Sequence, residues 1–203
     1  MLPNKYFVTG NEIVIATHNN GKVDEFKVLL SDYKFKVLTS ADLGIGDINE
    51  TGNSFKENSI LKAKSIPSNY YAISDDSGLC IKNLDNNPGI YSARYAKECG
   101  GWLEAMKKLY KENYKKNKEN FEAKFYCSLS IKFPDDKIFS YSGSVLGKIT
   151  WPPRGENGFG YDPFFIPFGE NITYGEMDYS KKIETDHRSI AFRKLSRAHL
   201  KSS

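Results

Sequence analysis

The feature that most constrains the fold is a short apolar run near the N-terminus, followed by a polar turn and a segment with helical spacing. Residues 12–17 read E-I-V-I-A-T, a run that is typical of a strand buried on both faces. Residues 22–30 then place apolar side chains at helical spacing, and residues 35–38 return to an extended pattern. A strand, a helix and a second strand in this order predict an α/β fold.

The segment that follows continues this alternation. Ser54 and Glu57 form a capping box, which predicts a helix over about residues 55–65. Residues 70–74 predict another buried strand, which we expect to end where the acidic turn at residues 75–78 begins, with residues 79–84 either continuing this strand or pairing with it. The acidic residues are therefore expected at a strand end.

The C-terminal half predicts one more group of strands and helices. A helix is expected from Trp102 onward, two strands over 124–133 and 137–146 should form a hairpin, residues 176–182 a helical turn, and residues 188–200 a closing helix. The predicted architecture is a mixed, twisted sheet flanked by helices. We expect residues 1–203 to form one domain in which the hairpin makes a second lobe and a substrate cleft lies between the lobes.

Composition narrows the class of protein. Hydrophobic residues make up 39% and aromatic residues 14% of the 203 residues, which is enough apolar surface for a globular core. The net charge of +4 is too small to require a nucleic-acid partner. The 3 cysteines lack zinc-ligand spacing, and the chain contains neither a membrane-length apolar run nor a signal-peptide core at its start. We therefore expect a cytoplasmic protein without a membrane partner.

The turn between the first strand and the first helix is a candidate phosphate site. The chain contains neither a P-loop nor a G-x-G-x-x-G turn, so a phosphate would have to bind at another kind of site. A helix N-terminus supplies free N–H groups and a positive dipole end. The same residues are also ordinary in a simple capped turn, so both interpretations stay open. The candidate residues are Thr17, His18, Asn19, Asn20, Gly21 and Lys22.

Acidic residues near element ends could converge on a hard cation such as Mg²⁺, which prefers oxygen ligands. Glu50, Asp75 and Asp76 are the candidates, together with Glu57, which is equally well explained as the capping partner of Ser54. Neighbouring residues on an extended backbone point to opposite faces. Asp75 and Asp76 are therefore expected to have different partners, with one of them directed at the cleft.

Two further segments are candidate ligand contacts. Residues 155–163 form a glycine-punctuated loop with two aromatic residues, suited to close backbone approach and to stacking on a flat ring. Lys182, His187 and Arg188 precede the last helix and could hold a phosphate or contact a base edge. A plain tight loop and a surface role for the basic residues are the alternatives.

Taken together, these segments resemble one known family. The motifs lie in the same order and spacing as in the inosine triphosphate pyrophosphatase family, also called the Ham1 family, and the match runs from about residue 12 to the end. The six motifs are A-T-x-N-x-x-K at 16–22, E-T-G-x-S-F-x-E-N at 50–58, S-D-D-S-G-L at 74–79, P-G-I-Y-S-A-R-Y at 88–95, G-F-G-Y-D-P at 158–163 and K-x-x-x-x-H-R at 182–188.

The resemblance implies a Mg²⁺-dependent enzyme on an elongated α/β fold with a central cleft. It implies hydrolysis of the noncanonical purine nucleotides ITP, dITP and XTP to the monophosphate and pyrophosphate by a homodimer. Asp76 matches the proposed proton acceptor, and Glu50 and Asp76 match the metal ligands. The matching substrate contacts are Thr17 to Lys22, Ser77, Phe159, Gly160, Tyr161, Asp162, Lys182, His187 and Arg188.

Three residues depart from the family pattern. His18 stands where a small residue is usual, Ile183 where asparagine is frequent, and Asp186 where serine commonly precedes His-Arg. Asp186 could pair with Arg188 or raise the pKa of His187. We therefore expect any difference from the family to concern base specificity.

Two other classes remain as alternatives. A Maf-type pyrophosphatase would act on other modified nucleotides, but the G-F-G-Y-D-P and H-R segments fit the inosine triphosphate family better. A small nucleic-acid-binding domain is suggested by the lysines between residues 107 and 118. We expect a purine nucleotide substrate and no stable nucleic-acid partner.

Overall fold

The computed structural model describes residues 6–201, and strands and helices alternate along them. The strands are β1 Glu12–Ala16, β2 Lys36–Thr39, β3 Ala72–Ile81, β4 Glu122–Lys132, β5 Ile138–Ile149 and β6 Phe165–Pro167. The helices are α1 Asn20–Leu29, α2 Phe55–Lys64, α3 Ser92–Glu98, α4 Trp102–Lys116, α5 Tyr179–Thr185 and α6 His187–His199.

Within residues 6–201 the strands form a six-stranded sheet in the order β2-β1-β3-β4-β5-β6. The β1 strand pairs in parallel with β2 and with β3, and Ile15 lies opposite Thr39 on one side and Ile73 on the other. The β5 and β6 strands pair antiparallel, with Lys148 opposite Ile166. The predicted α/β fold with a mixed sheet is confirmed.

The described residues divide into two compact units. Unit 1 comprises the chain up to Asp76, Cys127–Gly143 and the chain from Arg188; unit 2 comprises Ser77–Tyr126 and Ser144–His187. The tip of the predicted hairpin therefore belongs to unit 1, and its base to unit 2. The predicted cleft, and the prediction of a single domain, stay predictions.

Each unit has its own buried core. In unit 1, Ile13 and Ile15 of β1 pack with Phe26 of α1 and with apolar residues of β4 and α6. In unit 2, Leu79 of β3 packs with Met106 of α4 and with aromatic residues of β4 and β6. Burying a side chain of this size contributes roughly 1.5–3 kcal/mol, so these faces explain why the helices lie on the sheet.

The structure corrects the predicted end of the third strand. The β3 strand continues from Ala72 to Ile81 through the acidic segment, so Asp75 and Asp76 lie within a strand and not at its end. Strand pairing uses the main chain, and polar side chains do not interrupt it where they find partners. Gly78 allows close packing here, because a Cβ on it would lie 2.2 Å from the carbonyl oxygen of Gly89.

Other differences are local. The α3 helix and the short β6 strand were not predicted, and the helix expected from residue 176 begins at Tyr179. The remaining predicted helices and strands are present, with bounds shifted by a few residues. Among residues 6–201, the helices are too short or too polar to cross a membrane.

Candidate active site

The predicted phosphate turn connects β1 to α1 in unit 1. Asn19 caps α1, and its side-chain oxygen accepts a hydrogen bond from the main-chain N–H of Lys22 over 3.1 Å. The hydroxyl oxygen of Thr17 accepts from the N–H of Asn19 over 3.2 Å. His18 is exposed, with its Nε2 atom 3.8 Å from a carboxylate oxygen of Asp47. The turn therefore has the capped geometry that the sequence predicts, and Asn20, Gly21 and Lys22 form the first turn of the helix.

Lys22 extends from this turn to a buried network of charges. Its Nζ atom lies 2.5 Å from Oδ1 of Asp75, whose side chain is 0% exposed. Arg188, at the start of α6, donates to Oδ2 of Asp75 from Nε over 3.3 Å and from Nη2 over 3.0 Å, and its Nη1 atom contacts Glu25 of α1. A contact between Arg188 and a purine base stays a prediction.

The charges around Asp75 fix its protonation. Burial alone raises the pKa of this carboxyl, but Lys22, Arg188 and Lys62 outweigh burial and hold the pKa of Asp75 well below its usual range. Asp75 is therefore ionised near neutral pH and binds two cationic side chains, Lys22 and Arg188.

Asp76 points to a different set of partners. Asn58 of α2 donates from Nδ2 to Oδ2 of Asp76 over 3.1 Å, and Lys62 of α2 donates to Oδ1 over 3.3 Å. Lys62 also donates to the main-chain oxygen of Asp75 over 2.9 Å and contacts the carboxylate of Glu50. The adjacent side chains of Asp75 and Asp76 thus have different partners, as the alternation along a strand predicts.

Asp76 differs from its neighbour in its protonation as well. Burial is the largest influence and raises the pKa of Asp76 to about 6, although Lys62 and Lys22 lower it. A carboxyl group with a pKa near neutrality can accept and release a proton at physiological pH, which suits a general base.

Glu50 and Asp76 are suited to hold a divalent cation. Lys62 contacts carboxylate oxygens of both residues, so one cationic group already bridges them. Mg²⁺ is usually bound by one or two protein carboxylates, with water and substrate phosphates as the other ligands. Within residues 6–201, clusters of three or more His, Cys, Asp or Glu side chains that could hold a metal are absent. The donor set therefore fits Mg²⁺ bound together with a phosphate and does not fit a structural metal.

Glu57 forms a variant of the predicted capping box, in which its carboxylate bonds to Asn53, the residue before the cap, and not to Ser54. The N–H of Glu57 donates to the hydroxyl of Ser54 over 3.1 Å, and its carboxylate accepts from the N–H of Asn53 over 2.7 Å. Its position is explained by the start of α2, which favours the capping interpretation of this residue.

The glycine-punctuated loop at residues 155–163, which we call the base loop, lies in unit 2 and is organised by Asp162. One oxygen of the Asp162 carboxylate accepts from the N–H of Phe159 and from Nζ of Lys182, each over 2.8 Å. The Lys182 ammonium also lies 4.9 Å from the centre of the Phe159 ring. Gly158 has a φ of +74°, and a Cβ on it would lie 2.1 Å from Asp162 Oδ2, so the loop requires glycine at this position.

His187 and Ser77 are further predicted contacts in unit 2, which also contains Ile183 and Asp186, two of the departures from the family pattern. The buried His187 ring stacks on Phe125, with ring centres 4.8 Å apart and planes at 10°. Ser77 follows Asp76 on β3 and is partly exposed. Ile183 and Asp186 are buried, and the predicted effects of Asp186 on His187 and Arg188 stay predictions.

Sequence reasoning missed Lys62 and Asn58, which contact Asp76 directly. They lie four residues apart on α2 and therefore on the same face of the helix. Asn58 is the last residue of the E-T-G-x-S-F-x-E-N motif and Lys62 lies one helical turn beyond it, which was the available signal. The same spacing occurs on many surface helices, so the pattern by itself does not separate the two cases.

The fold and these side chains define an α/β protein with a capped helix N-terminus, beside a buried ion-pair network, and a carboxylate pair suited to a divalent cation. Comparison with known proteins makes this class specific. The chain belongs to the Ham1 family, whose model matches residues 13–198.

Individual relatives agree with this assignment. A dITP/XTP pyrophosphatase of Zymomonas mobilis is 41% identical over 192 residues, which cover 93% of this chain and 92% of that protein. One from Bacillus licheniformis is 43% identical over 188 residues, covering 91% and 96%. A solved HAM1 protein structure from Coxiella burnetii has a TM-score of 0.84 at 34% identity and covers 93% of this chain and 98% of that one. The Staphylococcus aureus Ham1 protein has a TM-score of 0.80 at 38% identity, covering 92% and 96%.

Proposed function

We propose that this protein hydrolyses noncanonical purine nucleoside triphosphates, namely ITP, dITP and XTP, to the monophosphate and pyrophosphate in the presence of Mg²⁺. The observation that carries the proposal is the contrast between two adjacent carboxyl groups. Asp75 is held ionised by Lys22 and Arg188, whereas burial raises the pKa of Asp76 to about 6. A carboxyl group whose environment raises its pKa toward neutrality, beside a neighbour that stays ionised, is a candidate proton acceptor.

The phosphate turn has the chemistry to bind the triphosphate. The first N–H groups of α1 and the positive end of its dipole attract anions, and Lys22 adds a full charge. Asp75 holds the Lys22 ammonium in place, so this charge is positioned before a substrate arrives.

Glu50 and Asp76 would hold Mg²⁺ in the proposed enzyme. When bound, the cation supplies charge neutralisation for the phosphoryl oxygens and for the leaving pyrophosphate. Lys62 keeps the two carboxyl groups close together, because its ammonium contacts both of them.

Asp76 is the proposed proton acceptor. Its carboxylate would orient a water molecule toward the α-phosphorus and take a proton from it as the new P–O bond forms and the bond to pyrophosphate breaks. Asn58 fixes the rotation of this carboxylate by donating to Oδ2. The mechanism needs no covalent nucleophile.

The base loop would distinguish purines. Phe159 offers a ring for stacking, and hypoxanthine and xanthine carry a 6-keto acceptor where adenine has a 6-amino donor. The loop N–H groups, His187 and Arg188 would therefore donate hydrogen bonds to the 6-keto oxygen of hypoxanthine or xanthine. In adenine they would face another donor. Guanine shares the 6-keto group and would be rejected through its 2-amino group, so discrimination against GTP should be weaker than against ATP.

A panel of nucleoside triphosphates tests the proposal. Purified protein is incubated with ITP, dITP, XTP, GTP, ATP and pyrimidine triphosphates with Mg²⁺, and the products are resolved by chromatography. Equal amounts of monophosphate and pyrophosphate from ITP, and loss of activity in excess EDTA, are expected. Stepwise release of orthophosphate, or full activity in EDTA, would contradict the mechanism.

The proposal extends to the partners and location of the protein. A homodimer is supported by the family resemblance and by two exposed apolar side chains, Leu146 on β5 at 66% exposed and Phe168 directly after β6 at 89% exposed. A cytoplasmic location is supported by the free state of the cysteines in the described residues and by the expected substrates. Sedimentation equilibrium tests the dimer.

Filter binding at increasing salt tests the alternative of nucleic-acid binding, which would weaken steeply as salt rises.

A further inference from the structure

Trp102 lies against the base loop although it belongs to a distant part of the sequence. It is the first residue of α4, and its indole meets the Tyr161 ring edge-on, with ring centres 5.0 Å apart and planes at 87°. A Cβ placed on Gly160 would lie 3.6 Å from the nearest atoms of the indole. One side chain therefore packs against two consecutive residues of the loop.

Gly160 differs from the loop residues on either side of it, which are anchored by hydrogen bonds. Asp162 holds the loop through Phe159 N–H and Lys182, and the Tyr161 hydroxyl donates to the main-chain oxygen of Ser92 over 3.3 Å. Gly160 has no side chain and a φ of +65°, a region in which glycine gains freedom. Packing by a rigid ring is a direct way to restrict such a residue.

Trp102 is partly exposed, unlike the core residues of the same helix. Met106 and Leu109 on the same helix are buried in the unit 2 core, whereas Trp102 is 38% exposed. Leu103, its neighbour, is 59% exposed. Trp102 thus combines a tight contact with the loop and an open face, which places it at the edge of the loop and outside the centre of the core.

We propose that Trp102 is a positioning residue for nucleobase binding. The indole holds Gly160 and Tyr161 in place and thereby keeps the Phe159 ring in position to stack on a purine. This inference rests on the proposed function, because it assigns Trp102 to the base subsite of that enzyme. It acts on binding of the base and leaves the chemical step at the phosphates unchanged.

Steady-state kinetics separate positioning from a structural role. Trp102→Ala should raise KM for ITP by about tenfold, with kcat within about twofold of wild type. Trp102→Phe keeps an aromatic ring against Tyr161 and should restore KM to within about threefold of wild type. Leu103→Ala, the matched control on the same turn, should leave both constants unchanged. Thermal melts confirm that each variant is folded.

A fluorescence titration reads binding without turnover. Tryptophan emission is followed as the α,β-methylene analogue of ITP is added with Mg²⁺, to wild type and to Trp102→Phe, which retains Trp151. A saturable change that is present in wild type and lost in Trp102→Phe supports the inference.

Several results would overturn the inference. An unchanged KM in folded Trp102→Ala, a fall in kcat alone, or no rescue by Trp102→Phe would each exclude Trp102 from positioning the base. Failure of wild type to hydrolyse ITP would instead overturn the proposed function, so the two failures are distinguishable.

Discussion

The ammonium group of Lys62 lies 3.3 Å from Oδ1 of Asp76 and connects α2 to the acidic segment of β3. Burial lowers the pKa of Lys62, but Asp76, Asp75 and Glu50 outweigh burial and raise it above its usual value. Lys62 therefore stays charged, and its charge lowers the pKa of the carboxyl group that we propose as the proton acceptor.

Replacing Lys62 with methionine should move the acid limb of the activity profile to higher pH. Removal of the cation lets burial raise the pKa of Asp76 further, so we expect the apparent pKa in kcat/KM to rise by about one unit. The measurement is kcat/KM for ITP from pH 5 to 9. Lys64→Met is the control, because Lys64 is exposed on the same helix. An unchanged limb in Lys62→Met would exclude this electrostatic role.

Asp76→Asn should abolish turnover and leave the fold intact. General-base catalysis typically contributes about 10²–10⁴ in rate, so we expect kcat to fall by at least ~10². Asparagine retains an oxygen that can accept from Asn58, and it removes the cost of burying a carboxylate. Residual activity near that of wild type would show that Asp76 is not the base.

Asp75→Asn should act mainly on stability. The substitution leaves Lys22 and Arg188 without the buried anion that binds both of them. Breaking a buried ion pair from one side costs about 3–5 kcal/mol, and urea unfolding measures this loss directly. Activity per folded molecule should fall less than in Asp76→Asn. Equal kinetic losses in the two variants, with normal unfolding curves, would refute the division of roles between these carboxyl groups.

The stability of the metal-free protein should decrease as pH rises. The pKa of Asp76 is raised from 3.8 to about 6 in the folded state, so the folded protein binds a proton more tightly than the unfolded chain. The contribution of Asp76 to the free energy of unfolding is therefore full below about pH 4 and is lost as pH rises through about 6. It amounts to up to about 3 kcal/mol.

The measurement is urea unfolding in EDTA between pH 4.5 and 7.5, with Asp76→Asn as the reference. The difference in unfolding free energy between the two proteins isolates this one carboxyl group. A difference that does not change with pH would mean that the pKa of Asp76 is not raised.

Replacing Phe159 of the base loop should lower kcat/KM by the same factor for all purine substrates. Sites that hydrogen-bond a substrate group can reject its analogue by up to ~10⁴–10⁵, so we expect kcat/KM to favour ITP over ATP by at least ~10². Phe159→Ala should lower kcat/KM for both nucleotides and leave their ratio unchanged, since stacking is common to all purines. Phe168→Ala, at an exposed phenylalanine, is the control.

Arg188 tests base readout in the same assay. Its guanidinium contacts Asp75 and Glu25, so Arg188→Lys is preferable to alanine because it keeps a charge between these carboxylates. A smaller ratio of kcat/KM for ITP to kcat/KM for ATP in Arg188→Lys than in wild type supports contact with the base. An unchanged ratio would confine Arg188 to holding Asp75.

Sequence patterns predicted the strands and helices whose formation depends on neighbouring residues in the chain. The apolar run at residues 12–17 predicts β1 because apolar β-branched residues favour a doubly buried strand. Ser54 and Glu57 predict the start of α2 because a cap is formed within one turn of the chain. The motifs and their order also identified the family, since the spacing of these residues along the chain needs no folded structure.

Tertiary structure alone decided which charges face each other. Lys62 and Asp76 are brought together by the packing of α2 on β3, and the raised pKa of Asp76 follows from burial, which sequence spacing does not report. The β3 strand continues through an acidic segment because buried partners satisfy its carboxylates. Trp102 reaches the base loop in the same way. Contacts between residues far apart in the chain depend on how whole elements pack, and the amino-acid pattern within one element does not determine that packing.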